Sequence, residues 1–138
     1  MSIKENKALI LRFYDLFNRR DLDTGYELLA PEYLFHAVTG DLPKEQVKQF
    51  DVMFAAAFPD TICTINDNDI VAEGDKVAFR VNARGTHTGP FMGVAPTGKK
   101  IEMNNTYIVK IVANKWVEQW GTTEFPLLMQ QLGVIPKQ

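Results

Sequence analysis

Two histidines are the side chains of this chain best suited to move a proton near neutral pH, because an imidazole titrates at about pH 6.5. His36 lies in the short apolar segment 33–37, which predicts a strand. We expect His36 at the mouth of an interior cavity as a general acid or base; the alternative is a histidine held by a hydrogen bond at the rim. His87 follows the alternating segment 77–83 and would contact a ligand if that strand continues. Shaping the following loop is the favoured role for His87.

Three further polar residues fall on apolar faces of predicted strands. Asn105 and Tyr107 interrupt the face that runs from Ile101 to Ile111, and Gln119 shares its strand parity with Gly121. Buried polar groups without partners cost about 1–3 kcal/mol each. These three could therefore bind a ligand's carbonyl oxygen, or they could bond to one another or to a buried water. We expect His36, Asn105 and Tyr107 to face the same cavity.

The remaining site candidates are an acid and two apolar residues. Glu124 is the nearest carboxylate after Gly121; it is a candidate catalytic acid, although a place at the strand end or a helix cap is favoured. Phe91 and Met92 lie in a loop rich in glycine and proline, between residues 85 and 98. They would close over a ligand as a lid, or fill the core as a hydrophobic plug.

Two tryptophans predict a covered surface. Trp116 and Trp120 share parity with Glu118, so strand alternation places them on the face opposite Gln119. Large exposed aromatic side chains on a sheet face are unusual. Packing of two sheets in a homodimer would cover both, and packing against a terminal segment is the alternative.

The elements that position these residues are predicted to be mainly helices before Thr61 and strands after it. Ser2 and Glu5 form a capping box, Asp21 can cap a second helix, and Pro43 suits the first turn of a third. From Thr61 onward the pattern predicts four antiparallel strands, including one over 61–73, and then a short helix from Phe125 to Leu132. Helices separated from an antiparallel sheet make an α+β fold.

Composition limits the classes of function. The 138 residues suit one domain spanning 1–138, and 15 basic against 17 acidic residues give a net charge of −2. Neither a basic stripe nor a long apolar run is present, so we expect no nucleic-acid partner and no membrane partner. Cys63 is the single cysteine, which excludes an internal disulfide. We expect a cytoplasmic protein with no metal and no cofactor, since no metal or nucleotide motif occurs.

Several blocks resemble the SnoaL-like polyketide (ester) cyclase family. The most telling are residues 85–98, Gly-Thr-His-Thr-Gly-Pro-Phe-Met-Gly-Val-Ala-Pro-Thr-Gly, and the segment 115–133. The resemblance implies a cone-shaped α+β barrel in which a curved, mostly antiparallel sheet wraps over three N-terminal helices. It also implies dimers, and an apolar cavity in which an aldol ring closure proceeds without a cofactor.

The family's proton-transfer residues can be placed on this sequence. Its acid/base aspartate falls on Gly121, and its glutamine and histidine fall on Asn105 and Tyr107. A further polar position falls on Phe35 or His36. Two functions stay open: a cofactor-free cyclase, isomerase or hydrolase acting on a small apolar carbonyl compound, and a non-catalytic protein that binds such a compound.

Overall fold

A computed structural model describes residues 2–135. Four helices and seven strands occur in this part of the chain. The helices are α1 (Ile3–Asn18), α2 (Leu22–Tyr26), α3 (Lys44–Ala57) and α4 (Phe125–Gln131). The strands are β1 (Leu29–Ala37), β2 (Gly40–Pro43), β3 (Ile62–Thr64), β4 (Ile70–Glu73), β5 (Lys76–Thr86), β6 (Lys100–Val112) and β7 (Lys115–Thr122).

The helix starts follow the local signals in the sequence. The Ser2 side chain accepts from the Glu5 N–H, and the Glu5 carboxylate accepts from the Ser2 N–H, which completes the capping box. Asp21 accepts from the Thr24 N–H at the start of α2. Pro43 precedes the first residue of α3. The side chains of Ser2 and Asp21 thus satisfy donors that a helix leaves free at its first turn, whereas Pro43 makes no such hydrogen bond.

All seven strands form one mixed sheet, in the order β2-β1-β7-β6-β5-β3, with β4 also paired to β5. The curved, unclosed sheet packs over the three N-terminal helices, so the predicted α+β cone is confirmed. The strand count differs from the expectation. The single strand expected over 61–73 is divided by a 3-10 turn at Asp67–Asp69, and β2 forms a hairpin with β1.

The parallel pairing of β1 with β7 joins the first strand to the last one. Next to it, β5, β6 and β7 form an antiparallel meander in which Tyr107 lies opposite Phe79 on one side and Gly121 on the other. Alternation along β6 buries the predicted apolar face, which includes Asn105 and Tyr107. This face and the helices enclose the core.

A β-bulge corrects the predicted position of Trp116. Lys110 pairs with Glu118 while Ile111 pairs with Trp116, so Val117 is an extra residue in β7. A bulge of this kind reverses the alternation of side chains beyond it. Trp116 therefore points inward, where it is 2% exposed and packs edge-to-face on Phe13 and Tyr33. Its predicted place on the outer face is wrong, whereas Trp120 keeps that place.

Side chains near the C-terminus form hydrogen bonds with the first part of β6, residues 100–105, which has no partner in β7. The Gln131 amide donates to the Glu102 carbonyl and accepts from the Glu102 N–H, both at 2.8–2.9 Å. The Glu124 carboxylate accepts from the Asn104 N–H at 2.9 Å. These contacts replace a neighbouring strand and hold α4 against the sheet. None of the helices within residues 2–135 is long and apolar enough to cross a membrane.

Candidate functional site

The backbone at Gly121 has no room for a side chain. Its φ is +137°, a conformation that residues with a Cβ rarely adopt. A Cβ built there would overlap the Thr106 carbonyl oxygen and come within 2.9 Å of the Tyr107 Cα and 3.0 Å of its Cδ1. The packing of β7 against β6 therefore requires glycine at position 121, because the strand pair leaves no room for a larger residue.

The Tyr107 ring lies beside Gly121 and uses the space that a side chain there would need. Tyr107 is 7% exposed, and its hydroxyl lies 2.6 Å from the Thr123 Oγ1. Its ring packs edge-to-face on Phe35. Burial raises the pKa of this hydroxyl well above its usual value, so Tyr107 stays protonated. The Tyr107 ring on β6 can thus occupy this position only because residue 121 on β7 has no side chain.

Asn105 and Glu124 are joined at the end of β7. The Glu124 N–H donates to the Asn105 Oδ1 at 2.8 Å, while the Glu124 carboxylate is bound to the Asn104 N–H. These contacts give Glu124 a structural role at the strand end. Its role as a catalytic acid stays a prediction. Asn105 uses its oxygen in this contact, which leaves its amide NH₂ as the donor on the inner face.

Gln119 also lies on the inner face and is bound to a residue of another strand. The Tyr33 hydroxyl donates to the Gln119 Oε1 at 2.6 Å, and both side chains are buried. The three inward polar residues Asn105, Tyr107 and Gln119 thus each have a protein partner that the sequence did not identify. These contacts use the side-chain oxygens of Asn105 and Gln119 and leave their NH₂ groups as donors.

Asp51 is a carboxylate that reasoning from the sequence missed. It lies on α3 and accepts a hydrogen bond from the Tyr26 hydroxyl. Burial raises the pKa of Asp51 to about 6, against the lowering effect of that hydrogen bond. A signal was present: Asp51 is four residues after Val47 and three before Phe54, within the apolar stripe predicted for this helix.

His36 faces outward, so the expectation that it shares a cavity with Asn105 and Tyr107 is wrong. Its neighbour Phe35 occupies the inner face of β1, and strand alternation turns His36 to the other side. Its Nδ1 lies 2.8 Å from Asp41, its Nε2 lies 2.8 Å from Glu118, and its ring stacks on Trp120. Hydrogen bonds to Glu118 and Asp41 hold the pKa of His36 above its usual value. The histidine at this position links three strands.

His87 is fully buried at the start of the long loop. Its Nδ1 accepts from the Thr97 N–H at 3.2 Å and lies 2.9 Å from the Thr97 Oγ1, and its ring packs on Phe58. An accepting Nδ1 places the proton on Nε2, which has no hydrogen-bond partner among the described residues. The contacts with Thr97 fit the favoured interpretation that His87 shapes the loop.

The two loop residues predicted to form a lid have separate positions. Phe91 is fully buried and packs on Phe54, Phe58 and Phe125, while Met92 is 56% exposed. Phe91 is thus a hydrophobic plug, because its ring is enclosed by other aromatic rings. Within residues 2–135, no three His, Cys, Asp or Glu side chains are grouped so as to hold a metal ion.

Replacing Gly121 should strongly destabilise the fold. For Gly121→Ala we expect a loss of about 3 kcal/mol or more in the free energy of unfolding, because backbone strain adds to overlap with β6. Chemical denaturation measures this loss. Gly74→Ala is the matched control, since Gly74 has φ +60° and open space around its Cβ position; it should cost only about 1 kcal/mol. Equal losses in the two variants would contradict the overlap.

The His36 contacts predict how stability depends on pH. Because the folded protein holds the pKa of His36 above its unfolded value, the imidazolium stabilises the fold below about pH 6.5. That contribution disappears as the pH rises through the higher folded value. The Tm difference between wild type and His36→Gln should be largest near pH 5.5 and small near about pH 9. A difference that stays constant over this range would exclude the linkage.

Comparisons with known proteins place this geometry in a family. The family model for SnoaL-like polyketide cyclases matches residues 8–132. The structure of AclR, a proposed hydroxylase from Streptomyces galilaeus, aligns with a TM-score of 0.89 at 30% identity, covering 98% of this chain and 100% of that one. IdmH, a proposed polyketide cyclase from Streptomyces antibioticus, aligns with a TM-score of 0.79 at 34% identity, covering 93% and 98%.

A more distant structure shares the fold. A proposed SnoaL-like polyketide cyclase from Jannaschia Sp. CCS1 aligns with a TM-score of 0.84 at 20% identity, covering 99% of this chain and 97% of that one. No curated protein shows a significant match. The family match covers most of the chain, and the two Streptomyces proteins match over more than nine-tenths of it. The chain therefore belongs to the SnoaL-like polyketide cyclase family.

Proposed function

We propose that the protein binds a small, largely apolar carbonyl compound between the sheet and α3, and that it catalyses a cofactor-independent ring closure or isomerisation. The observation that carries this proposal is the set of polar groups on an otherwise apolar inner face. Asn105, Tyr107 and Gln119 lie on adjacent strands among buried aliphatic and aromatic residues. A ligand with an apolar body and one or two carbonyl oxygens complements such a surface.

The burial along α3 supports access to the inner face near the N-terminal half of this helix. Ala57 and Phe54, in its last turns, are buried, whereas Val47 and Phe50 are only half-buried although they face inward. Phe35, opposite them on β1, is also half-buried. The helix therefore packs closely at one end and leaves accessible apolar side chains at the other, as an entrance requires.

The hydrogen bonds on the inner face leave donors for a ligand. Asn105 and Gln119 accept through their oxygens, so their NH₂ groups can donate to a carbonyl oxygen. Neutral donors of this kind stabilise negative charge that develops on oxygen during enolisation. The same donors would fix the orientation of the ligand.

Non-catalytic binding is the second candidate, and Gly121 favours it. The family's acid/base position cannot hold a carboxylate here, since the backbone excludes a Cβ. The two Streptomyces relatives are described by different reactions, hydroxylation and cyclisation. Family membership alone therefore does not fix the reaction.

Binding can be tested with 1-tetralone, a bicyclic aromatic ketone, and with tetralin, which lacks the carbonyl. We expect 1-tetralone to raise the Tm and tetralin to raise it less, since only the ketone can accept from the inner-face donors. Val47→Trp should abolish the Tm shift by filling the entrance. Val52→Trp, on the exposed side of the same helix, is the matched control and should preserve it. Equal shifts in both variants, or none in the wild type, would contradict an interior site.

We also propose that a second copy of the chain covers the outer face of the sheet. The strand register places a row of side chains side by side on this face: Val71, Ala78, Ile108 and Trp120. Val71 is 60% exposed and Ile108 is 46% exposed. An apolar row across four strands suits packing against a copy of itself.

The dimer predicts a molecular mass near twice the 15.6 kDa of one chain. Ile108→Lys should shift the protein to the monomer in sedimentation experiments, since it places a charge at the centre of the apolar row. Leu11→Lys, on the exposed side of α1, is the control and should leave the mass unchanged. A wild-type monomer at micromolar concentration would overturn this assignment.

A further inference from the structure

We propose that Asp51 is the proton-transfer group of the interior site and that the Tyr14 hydroxyl donates to the substrate's carbonyl oxygen. This inference rests on the proposed function, because it needs a ligand next to α3. It assigns the acid/base role to a helix, in place of the strand position that Gly121 occupies. The evidence lies in the contacts around Asp51 and in the positions of the other candidates.

Asp51 projects from the inner face of α3, in the region where that helix is less closely packed. It lies between half-buried Val47 and buried Phe54 on the same stripe, and it is itself half-buried. The Tyr26 hydroxyl donates to its Oδ2. Tyr26 is 2% exposed and therefore holds the carboxylate in a fixed orientation. The second oxygen, Oδ1, has no side-chain partner among the described residues and is available to a ligand.

The other titratable side chains of this cluster are uncharged near neutral pH. The titratable side chains whose pKa responds to the Asp51 charge come from five elements: Tyr14 of α1, Tyr26 of α2, Tyr33 of β1, Cys63 of β3 and Tyr107 of β6. Burial, and to a lesser extent the Asp51 charge, raises the pKa of each of these groups. Asp51 is thus the one acidic group of this cluster that ionises near neutral pH.

The ionisation of Asp51 suits proton transfer. Burial raises the pKa of its carboxyl to about 6, while the hydrogen bond from Tyr26 opposes that shift. A carboxyl with this pKa is mostly ionised at neutral pH and can accept a proton, and its acid form can return that proton. A carboxylate with the unperturbed pKa of about 4 is a weaker base.

Tyr14 supplies a donor in the same part of the core, where the Asp51 charge contributes to the raised pKa of its hydroxyl. Side-chain partners occupy the other three tyrosine hydroxyls, namely Asp51 for Tyr26, Gln119 for Tyr33 and Thr123 for Tyr107. No side-chain hydrogen bond of residues 2–135 uses the Tyr14 hydroxyl. Burial raises its pKa well above the usual value, so it remains a donor.

The proposed step is balanced without a cofactor. The Asp51 carboxylate takes a proton from the carbon next to the carbonyl, so a C–H bond breaks and an O–H bond forms on Asp51. The electron pair moves into a C=C bond, and the resulting enolate oxygen is held by the Tyr14 hydroxyl. In ring closure, the enolate carbon attacks a second carbonyl carbon, and the new alkoxide takes the proton back from Asp51.

The other acid/base candidates are held in different contacts. His36 lies on the outer face between Asp41 and Glu118. The Glu124 carboxylate is bound to the backbone of β6. His87 is enclosed between the Thr97 side chain and the Phe58 ring. Asp51 alone combines an inward position, partial accessibility and a free oxygen.

Deuterium exchange into 1-tetralone tests proton abstraction independently of the natural substrate. In D₂O, the wild-type protein should accelerate exchange at the carbon next to the carbonyl, as measured by NMR. Asp51→Asn should reduce this acceleration about 100-fold or more, since it removes the base. Asp15→Asn, on the exposed side of α1, is the matched control and should exchange at the wild-type rate.

Binding of 1-tetralone distinguishes a failure of the Asp51 assignment from a failure of the proposed function. Asparagine keeps an acceptor for Tyr26 and removes a buried charge, so the Asp51→Asn variant should fold and should keep the ketone-induced Tm shift. A retained shift with lost exchange supports Asp51 as the base. A retained shift with unchanged exchange overturns Asp51 while leaving binding intact. Absence of a shift in the wild type overturns both.

The pH dependence of exchange gives a readout that a structural role would not change. The wild-type rate should fall below about pH 6 as Asp51 becomes protonated. Tyr26→Phe removes a hydrogen bond that favours the ionised form, so this limb of the profile should move to higher pH. An unmoved limb in Tyr26→Phe would overturn the assignment of the titration to Asp51.

Discussion

The close approach of β7 to β6 at Gly121 is the constraint on which the interior depends. The Thr106 carbonyl and the Tyr107 backbone occupy the volume that a Cβ at position 121 would need. The Tyr107 ring can then lie over the glycine and place its hydroxyl next to Thr123. The absence of a side chain at position 121 and the position of the Tyr107 ring are thus two parts of one packing arrangement, which a larger residue at position 121 would disrupt.

The second determinant of the interior is the bulge at Val117. It turns Trp116 into the core while Trp120 stays on the outer face, so two tryptophans four residues apart serve opposite sides of the sheet. Inside, Trp116 packs with Phe13, Tyr33 and Phe79. Outside, Trp120 stacks on His36. The one extra residue in β7 therefore places Trp116 in the core and leaves Trp120 on the outer surface.

Local signals in the sequence predicted much of the fold. The capping box at Ser2, the cap at Asp21 and the alternation of β6 are each determined by residues close together in the chain, and the structure confirms them. The error at Trp116 concerns a feature set by distant pairing. The bulge that reorients Trp116 depends on the register between β6 and β7, which single-strand alternation cannot reveal.

The candidate site was harder to predict for the same reason. Asn105, Tyr107 and Gln119 were identified because a polar residue on an apolar face is visible in the sequence. Their partners Glu124, Thr123 and Tyr33 were not identified, since these contacts join separate elements. Asp51 was overlooked because a helix stripe was assigned by its apolar members alone, although its spacing from Val47 and Phe54 marks it as inward-facing.

The side chain of Gln131 offers both an acceptor and a donor to the backbone of Glu102, much as a neighbouring strand would. The last helix thus shields an otherwise open β-edge against pairing with foreign chains. A chain cut before Phe125 would lose this shield together with the buried Leu128 and Leu132 of the core. Such a fragment would tend to self-associate through β6, so the terminal helix contributes to solubility as well as to folding.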